Sequence, residues 1–151
     1  MNRVLPFVSE FDSENGKVAE VIMGLYGLHG QYPSEPITLM LSSPGGDVYS
    51  AIALADVISQ VRKEGTPVNC RVYGECCSAA VFPMLVCARR MASKDAVFMV
   101  HGGETGFGGD LNMFTAMTAQ FEGLTGVLAE RLGARSKKTA KYWRGKLERS
   151  T

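Results

Sequence analysis

The sequence lacks any apolar run of the ~18 residues that a membrane-spanning helix needs. Its start, MNRVLPFVSEFDSENG, has no apolar core of the kind found in signal peptides. Sixteen basic residues nearly balance fifteen acidic ones, for a net charge of +1. This balance argues against broad electrostatic attraction to nucleic acid or to an anionic membrane. We therefore expect a soluble, cytoplasmic protein with neither a nucleic-acid nor a membrane partner.

Cysteine and histidine are scarce. No histidine stands at ligand spacing from the four cysteines, which argues against zinc, and a disulfide framework is not expected without a leader. The cysteines lie in an apolar region, and we expect them to be small buried packing residues: Cys70, Cys76, Cys77 and Cys87. We expect no metal and no cofactor. Basic residues gather in RSKKTAKYWRGKLER (135–149), which we interpret as a solvated helix face.

Apolar periodicity and turn residues alternate along the 151 residues. Strands are predicted over 3–8, 37–43, 68–74 and 96–102. Helices are predicted over 17–29, 48–65, 78–88 and 111–133, with a last helix capped by Ser136 and running through Glu148. Strand–helix alternation of this kind predicts right-handed crossovers on a largely parallel sheet, hence the α/β class. With no linker or repeat, we expect a single domain over residues 3–151.

One proline stands inside a predicted helix. Pro83 lies about five residues into the segment 78–88. Because proline has no N–H, we expect the helix to lose one backbone hydrogen bond or to kink at that position.

Three polar segments follow predicted strands: SSPGGD after the second, GECCS after the third and HGG after the fourth. In parallel α/β sheets, sites form at the carboxyl ends of strands. Taken alone, each segment also has a structural explanation. SPGG can be a tight turn, Ser78 a helix N-cap, and His101 a hydrogen-bonded structural residue. His29, at a helix end before a glycine, is interpreted as structural.

Together the three segments are able to form one catalytic site. If Ser78 opens a helix, the next N–H, that of Ala79, is unpaired and points outward. Gly46 can bring a second N–H close because no Cβ blocks its approach. His101 on a neighbouring strand end can accept the Ser78 proton. The result is a nucleophile, an oxyanion hole and a base.

These residues carry a family resemblance. ITLMLSSPGGDVYSAIALADVI (37–58), VYGECCSAAVFPML (72–85), AVFMVHGG (96–103) and GFGGDLNMFTAMTAQFEGLTGVLAERLG (106–133) resemble the proteolytic subunit of the Clp protease, ClpP, within the crotonase-like superfamily. The resemblance implies a ClpP/crotonase-like fold of repeated β–α units with a mainly parallel sheet. It also implies a protruding handle helix over 111–133.

The resemblance assigns roles to individual residues. It implies that Ser78 is the nucleophile, His101 the base, and Gly46 and Ala79 the oxyanion hole. Two segments would flank an extended peptide as added strands would: Gly45, Asp47 and Val48, and Gly106, Phe107 and Gly108. It further implies a closed homo-oligomeric ring of six or seven subunits, of the kind that in the family is usually stacked in pairs, that acts on peptides or proteins.

The sequence departs from the family pattern at the position of the triad acid. No aspartate follows Asp110. The position expected for the acid falls near the end of the chain, on Ser150 or, as an alternative, Thr151, with Glu148 as the nearest carboxylate. Without an acid, the base can take the wrong tautomer, which lowers the rate by orders of magnitude.

The ends of the sequence also differ from the family. Compared with the family pattern, we expect the final helix and strand, and the N-terminal segment that meets the ATPase, to lie outside this sequence, either because the sequence is cut short or because this relative lacks them. A Clp-type ATPase partner is therefore doubtful, and a phage-type or stand-alone relative is favoured.

Three functions follow. The first is a serine endopeptidase, ATP-independent or partner-assisted, that works through an acyl-enzyme. The second is a weak or inactive ring subunit with a scaffolding role. The third is a crotonase-like enzyme that acts on acyl-CoA thioesters.

Overall fold

The computed structural model describes residues 3–102 and 111–149. The chain divides between Met99 and Val100 into two compact units. The first unit contains the sheet and the second contains the last two helices.

The first unit alternates strands and helices as predicted. Strand β1 (Val4–Val8) leads to helix α1 (Lys17–Gln31), β2 (Ile37–Ser43) to α2 (Val48–Lys63), and β3 (Val68–Cys77) to a short 3-10 turn (Ser78–Ala80) that continues into α3 (Val81–Val86). Two three-residue strands follow, β4 (Arg90–Ala92) and β5 (Val97–Met99).

All five strands are parallel. β2 lies between β1 and β3, and β4 and β5 follow one another along the opposite edge of β3. Cys70 pairs with Leu39 on one side and with Arg90 on the other, whereas Cys76 pairs with Ser43 and Phe98. The mainly parallel sheet is confirmed. β4 was missed because a three-residue segment, RMA, has too little pattern to identify.

The core lies against one face of the sheet. Along β2, Ile37, Leu39 and Leu41 are fully buried while the residues between them are partly exposed. Buried side chains from α1 and α2, including Leu25 and Ile58, supply the helical part of this core. Full burial of each such side chain stabilises the fold by about 1.5–3 kcal/mol before entropic costs. The packing of this core therefore holds the strands, and with them the segments at their ends, in place.

The expectation for Pro83 was wrong. The α-helix begins at Val81 rather than Ser78 and ends at Val86, so the proline lies in its first turn. The N–H groups of a first turn have no intrahelical acceptor, and a proline there removes no hydrogen bond. Pro83 thus fits the helix without a kink.

The second unit is a pair of helices, α4 (Leu111–Arg135) and α5 (Ala140–Leu147). Buried apolar side chains join them: Leu128, Ala129, Leu132 and Leu147. Gly133 lies so close to Ala140 that a Cβ on Gly133 would be only 2.6 Å from the Ala140 nitrogen. Because glycine has no Cβ, the chain can turn tightly here.

The predicted cap of the last helix was wrong. Thr139, not Ser136, is the N-cap, and its hydroxyl accepts a hydrogen bond from the Tyr142 N–H. Ser136 instead accepts the indole N–H of Trp143 at 2.8 Å. Both residues can cap, and the choice depends on where α4 ends, two residues later than predicted.

Among residues 3–102 and 111–149, no helix is both long enough and apolar enough to cross a membrane.

Candidate active site

The carboxyl ends of β2 and β3 lie side by side. The two strands are adjacent and parallel, and Ser43 at the end of β2 pairs with Cys76 near the end of β3. β5 ends at the same edge, where Met99 pairs with Cys77. β3 reaches this edge because it continues three residues beyond its predicted end at Gly74. The segments SPGG and SAA therefore emerge next to each other.

Ser78 occupies a sharp turn from strand to helix. Cys77 before it is extended, with φ −117°, whereas Ser78 has φ +52°, in the left-handed region. A non-glycine residue in this region costs about 1–3 kcal/mol and persists only where the surrounding structure enforces it. Strain of this kind at a serine between strand and helix is typical of a nucleophile position. The sequence did not reveal this feature.

Gly45 packs directly against this turn. A Cβ on Gly45 would lie 2.7 Å from the Ser78 Cβ, 2.9 Å from the Cys77 carbonyl oxygen and 3.2 Å from the Ala79 nitrogen. Gly45 is buried and has φ +110°. Only glycine fits both the space and the backbone conformation. Gly45, the neighbour of Gly46, is thus the glycine that lies against Ser78.

Gly46 contacts a segment that sequence reasoning did not connect to the site. The Phe11 N–H donates to the Gly45 carbonyl at 2.7 Å, and the Asp47 N–H donates to the Phe11 carbonyl at 2.8 Å. Phe11 and Gly46 thus form an isolated parallel bridge. Gly46 itself is exposed and has φ +118°. No motif in SEFDSEN signals this pairing, since a single bridge leaves no periodic pattern.

The next two residues begin α2. The Asp47 carboxylate accepts a hydrogen bond from the Ser50 N–H at 2.9 Å and is the N-cap of α2, and Val48 is its first residue. Both are half-buried. The helix start therefore fixes the direction in which the chain leaves Gly46.

Of the remaining candidates, only His101 lies within the described residues. His101 is half-buried and follows β5 by two residues, at the start of the second unit. Gly106, Phe107 and Gly108, as well as Ser150 and Thr151, lie outside the described residues.

His29 is structural, as predicted. Its Nδ1 lies 2.8 Å from the Thr66 hydroxyl and its Nε2 3.0 Å from a Glu64 carboxylate oxygen. Both ring nitrogens therefore have a polar partner. His29 lies at the amino ends of the strands, opposite Ser78.

The four cysteines are free and buried, which confirms the packing interpretation. A hydrogen bond with Cys87, together with burial, raises the pKa of the Cys70 thiol. Burial raises the pKa of Cys76 to about 12 and also raises that of Cys77. Because the thiolate is the reactive form, these thiols are poor nucleophiles beside Ser78.

Comparison with known proteins identifies the family. The family model described as Clp protease matches residues 3–151. The chain belongs to the Clp protease family.

One curated protein and one solved structure are similar to this chain. The ATP-dependent Clp protease proteolytic subunit of Deinococcus radiodurans is 27% identical over 103 residues, covering 67% of this chain and 47% of that protein. The chain thus spans about half the length of this curated relative. Among solved structures, the ClpP1 N165D mutant from Listeria monocytogenes superposes with a TM-score of 0.82 at 16% identity, covering 97% of this chain and 79% of the other. The predicted ClpP-like α/β fold is confirmed.

Proposed function

We propose that this protein is a serine endopeptidase that cleaves peptide bonds through an acyl-enzyme on Ser78. The conformation of Ser78 carries the proposal. A left-handed serine that directly follows β3 and opens a 3-10 turn, with Gly45 packed against it, matches what a peptidase nucleophile needs. A helix-capping serine would need no such strain.

The amides of Gly46 and Ala79 are the proposed oxyanion hole. Within the part of the chain that the structure describes, neither amide donates a hydrogen bond. The Ala79 amide precedes the first bonded amide of the 3-10 turn, where the helix end favours negative charge. Gly45 lies against the Ala79 nitrogen, which keeps the two loops together. Donors fixed before the reaction stabilise the oxyanion without reorganising.

His101 is the proposed general base. The pairing of Met99 with Cys77 brings β5 alongside the residue that precedes Ser78, and His101 follows two residues later. In the proposed reaction the Ser78 Oγ attacks the carbonyl carbon and its proton passes to His101. The C–N bond then breaks, and His101 returns the proton to the leaving amine. Water hydrolyses the acyl-enzyme by the same route in reverse.

The group that orients His101 is proposed to be Ser150. It occupies the position where the family pattern has its acid, and the sequence has no aspartate after Asp110. A serine hydroxyl can accept the far ring N–H but adds no negative charge. We therefore expect slower turnover than a complete triad gives.

The proposed substrate is a peptide or unfolded protein in an extended conformation. It would run along residues 45–48 on one side and residues 106–108 on the other, as an added strand. The Gly45 carbonyl and the Asp47 N–H already bond to Phe11. The backbone groups of Gly46, which Phe11 does not use, are therefore the ones proposed to pair with the substrate. We further propose a homo-oligomeric ring in the cytoplasm.

The test is covalent labelling with a fluorophosphonate. The reagent should label the assembled protein at Ser78, and labelling should vanish in Ser78→Ala while persisting in Ser59→Ala, a serine on α2. The modified peptide is identified by mass spectrometry. An assembled protein that remains unlabelled would refute the proposal.

The absent aspartate favours one second function, a ring subunit with a scaffolding role. That subunit would hydrolyse no peptide alone and would co-assemble with an active relative. Native mass spectrometry of the two proteins together distinguishes the functions, because a chain that remains monomeric in the mixture has no scaffolding role.

A further inference from the structure

We propose that residues 9–11 are a positioning segment for the oxyanion hole, with Phe11 as its anchor. The inference rests on the proposed function, because it concerns the Gly46 amide. It adds a part of the chain, just after β1, that neither the sequence motifs nor the family assignment connected to catalysis.

The first observation is the pattern of hydrogen bonds. The Ser9 N–H donates to the Ser42 carbonyl at 3.2 Å, so the segment continues the path of β1 beside β2. Phe11 then binds the carbonyl of Gly45 and the N–H of Asp47, one residue before and one after Gly46. In this parallel bridge Phe11 bonds the groups on either side of Gly46 and leaves the Gly46 N–H unused.

The second observation is how firmly Phe11 is held. Its side chain is 1% exposed and stacks on Phe7, with ring centroids 4.3 Å apart. An aromatic pair contributes about 0.5–1.5 kcal/mol beyond the burial of its area. Since the ring is fixed in the core, the main chain of Phe11 is a rigid partner for the exposed loop.

The third observation is the tight fit at Gly46. A Cβ at this position would lie 2.2 Å from the Phe11 carbonyl oxygen and 2.8 Å from the Glu10 Cγ. Gly46 also has φ +118°, which an L side chain rarely adopts. The loop therefore lies so close to residues 10 and 11 that only glycine fits at this position.

These contacts have a catalytic consequence. An oxyanion donor contributes only if it is already aimed when charge develops, and losing one donor lowers kcat about 10²–10³-fold. Partial misalignment should give a smaller loss of kcat with little change in KM, because the donor acts mainly in the transition state. Phe11 touches no reacting atom, so its role is positioning.

The experiment compares Phe11→Ala with Phe7→Ala in the assembled protein. Both remove a buried ring from the same stacked pair, but Phe7 makes no contact with the 45–47 segment through its main chain. We expect both variants to lose stability. Only Phe11→Ala should lower kcat, by about 10-fold or more, with KM within about 2-fold. Phe11→Leu, which keeps an apolar anchor, should recover most of kcat.

Amide hydrogen exchange supplies a readout that does not depend on turnover. The Asp47 N–H should exchange at least about 10-fold faster in Phe11→Ala than in Phe7→Ala, because its acceptor is the Phe11 carbonyl. If Phe11→Ala does not fold, the same two measurements on Phe11→Val and Phe7→Val decide the question, because valine shortens the anchor without removing it.

The outcomes separate the two proposals. If the wild-type protein is labelled at Ser78 but the Phe11 and Phe7 variants lose equal fractions of kcat, the positioning role is wrong and the peptidase stands. If the wild-type protein is neither labelled nor active, the peptidase proposal fails and the positioning role fails with it.

Discussion

The two edges of the parallel sheet differ in what their polar groups do. At the amino ends of the strands, side chains bond to one another and to the main chain. At the carboxyl ends, a serine and two glycines adopt left-handed conformations in close contact, and the amides of Gly46 and Ala79 have no partner among the described residues. The contrast suggests that one edge contributes stability and the other contributes chemistry.

The amino edge is organised around Arg3. Its guanidinium donates to four carbonyls, those of Leu28, Tyr32, Glu35 and Pro36, at 2.7–3.2 Å. It also lies 5.6 Å from the centroid of the Tyr32 ring. One side chain thus ties the start of β1 to the end of α1 and to the turn before β2.

Thr66, fully buried at the same edge, also connects separate segments through hydrogen bonds. Its hydroxyl accepts the Ser34 N–H at 3.2 Å and contacts the His29 ring at 2.8 Å. A buried polar atom that lost these partners would be costly. The hydroxyl of Thr66 therefore links the end of α1 to the turn before β2.

The largest effect is expected at the carboxyl edge. Gly46→Ala should lower kcat by about 100-fold or more, because its Cβ would meet the Phe11 carbonyl and the amide would turn away from the oxyanion. Gly65→Ala is the matched control at the amino edge, where φ is +99° but no atom lies within 4 Å of the Cβ. It should lose stability and keep kcat. Peptidase kinetics and urea unfolding check both variants, and equal loss of kcat would abolish the contrast between the edges.

Next in size is the effect of Arg3→Ala on stability. Four hydrogen bonds from a charged donor are removed, and we expect a loss of about 2–3 kcal/mol in the free energy of unfolding. The value of kcat/KM for the folded protein should stay within about 2-fold. Arg3→Lys should recover little, because an ammonium group does not reproduce the planar fork. A large loss of kcat/KM in folded Arg3→Ala would show that the amino edge also serves catalysis.

Thr66→Val should have a smaller effect of the same kind. The isosteric change removes one hydroxyl and leaves the Ser34 N–H and one His29 ring nitrogen without their partner. We expect a loss of about 1–2 kcal/mol, measured by chemical denaturation, with unchanged kcat. Unchanged stability would mean that water replaces the hydroxyl.

The smallest effect is expected from alkaline pH. Burial raises the pKa of Cys76 to about 12, above the value of about 8.5 in the unfolded chain. A raised folded-state pKa gives stability that is fully present below about pH 8.5 and is lost as pH rises toward 12. Between pH 8.5 and 10, unfolding free energy should fall by about 1–2 kcal/mol more in wild type than in Cys76→Ala. Parallel curves for the two proteins would contradict this.

The sequence predicted the sheet well and the contacts between loops poorly. β2 begins at Ile37 and ends at Ser43 as predicted, since a compact apolar run bounded by proline and glycine leaves little choice. The convergence of SPGG and SAA followed from parallel topology. The left-handed Ser78, the packing of Gly45 and the Phe11 bridge did not, because each depends on the distance between segments far apart in sequence.

Errors at the helix ends have a similar origin. Local signals placed a cap at Ser136 and a kink at Pro83, and both residues are suited to those roles. The structure moved each helix start by three residues, to Val81 and Ala140. Periodicity identifies a helix more reliably than the residue at which it begins.

β1 and the residues after it connect the two edges. Arg3 lies at one edge and Phe11 at the other, and eight steps of extended chain span about 26 Å. A purification tag or fluorophore attached ahead of Arg3 would therefore join the fold at the edge opposite Ser78. Labels for assembly or unfolding experiments belong at this end, where they leave the serine accessible to substrates and probes.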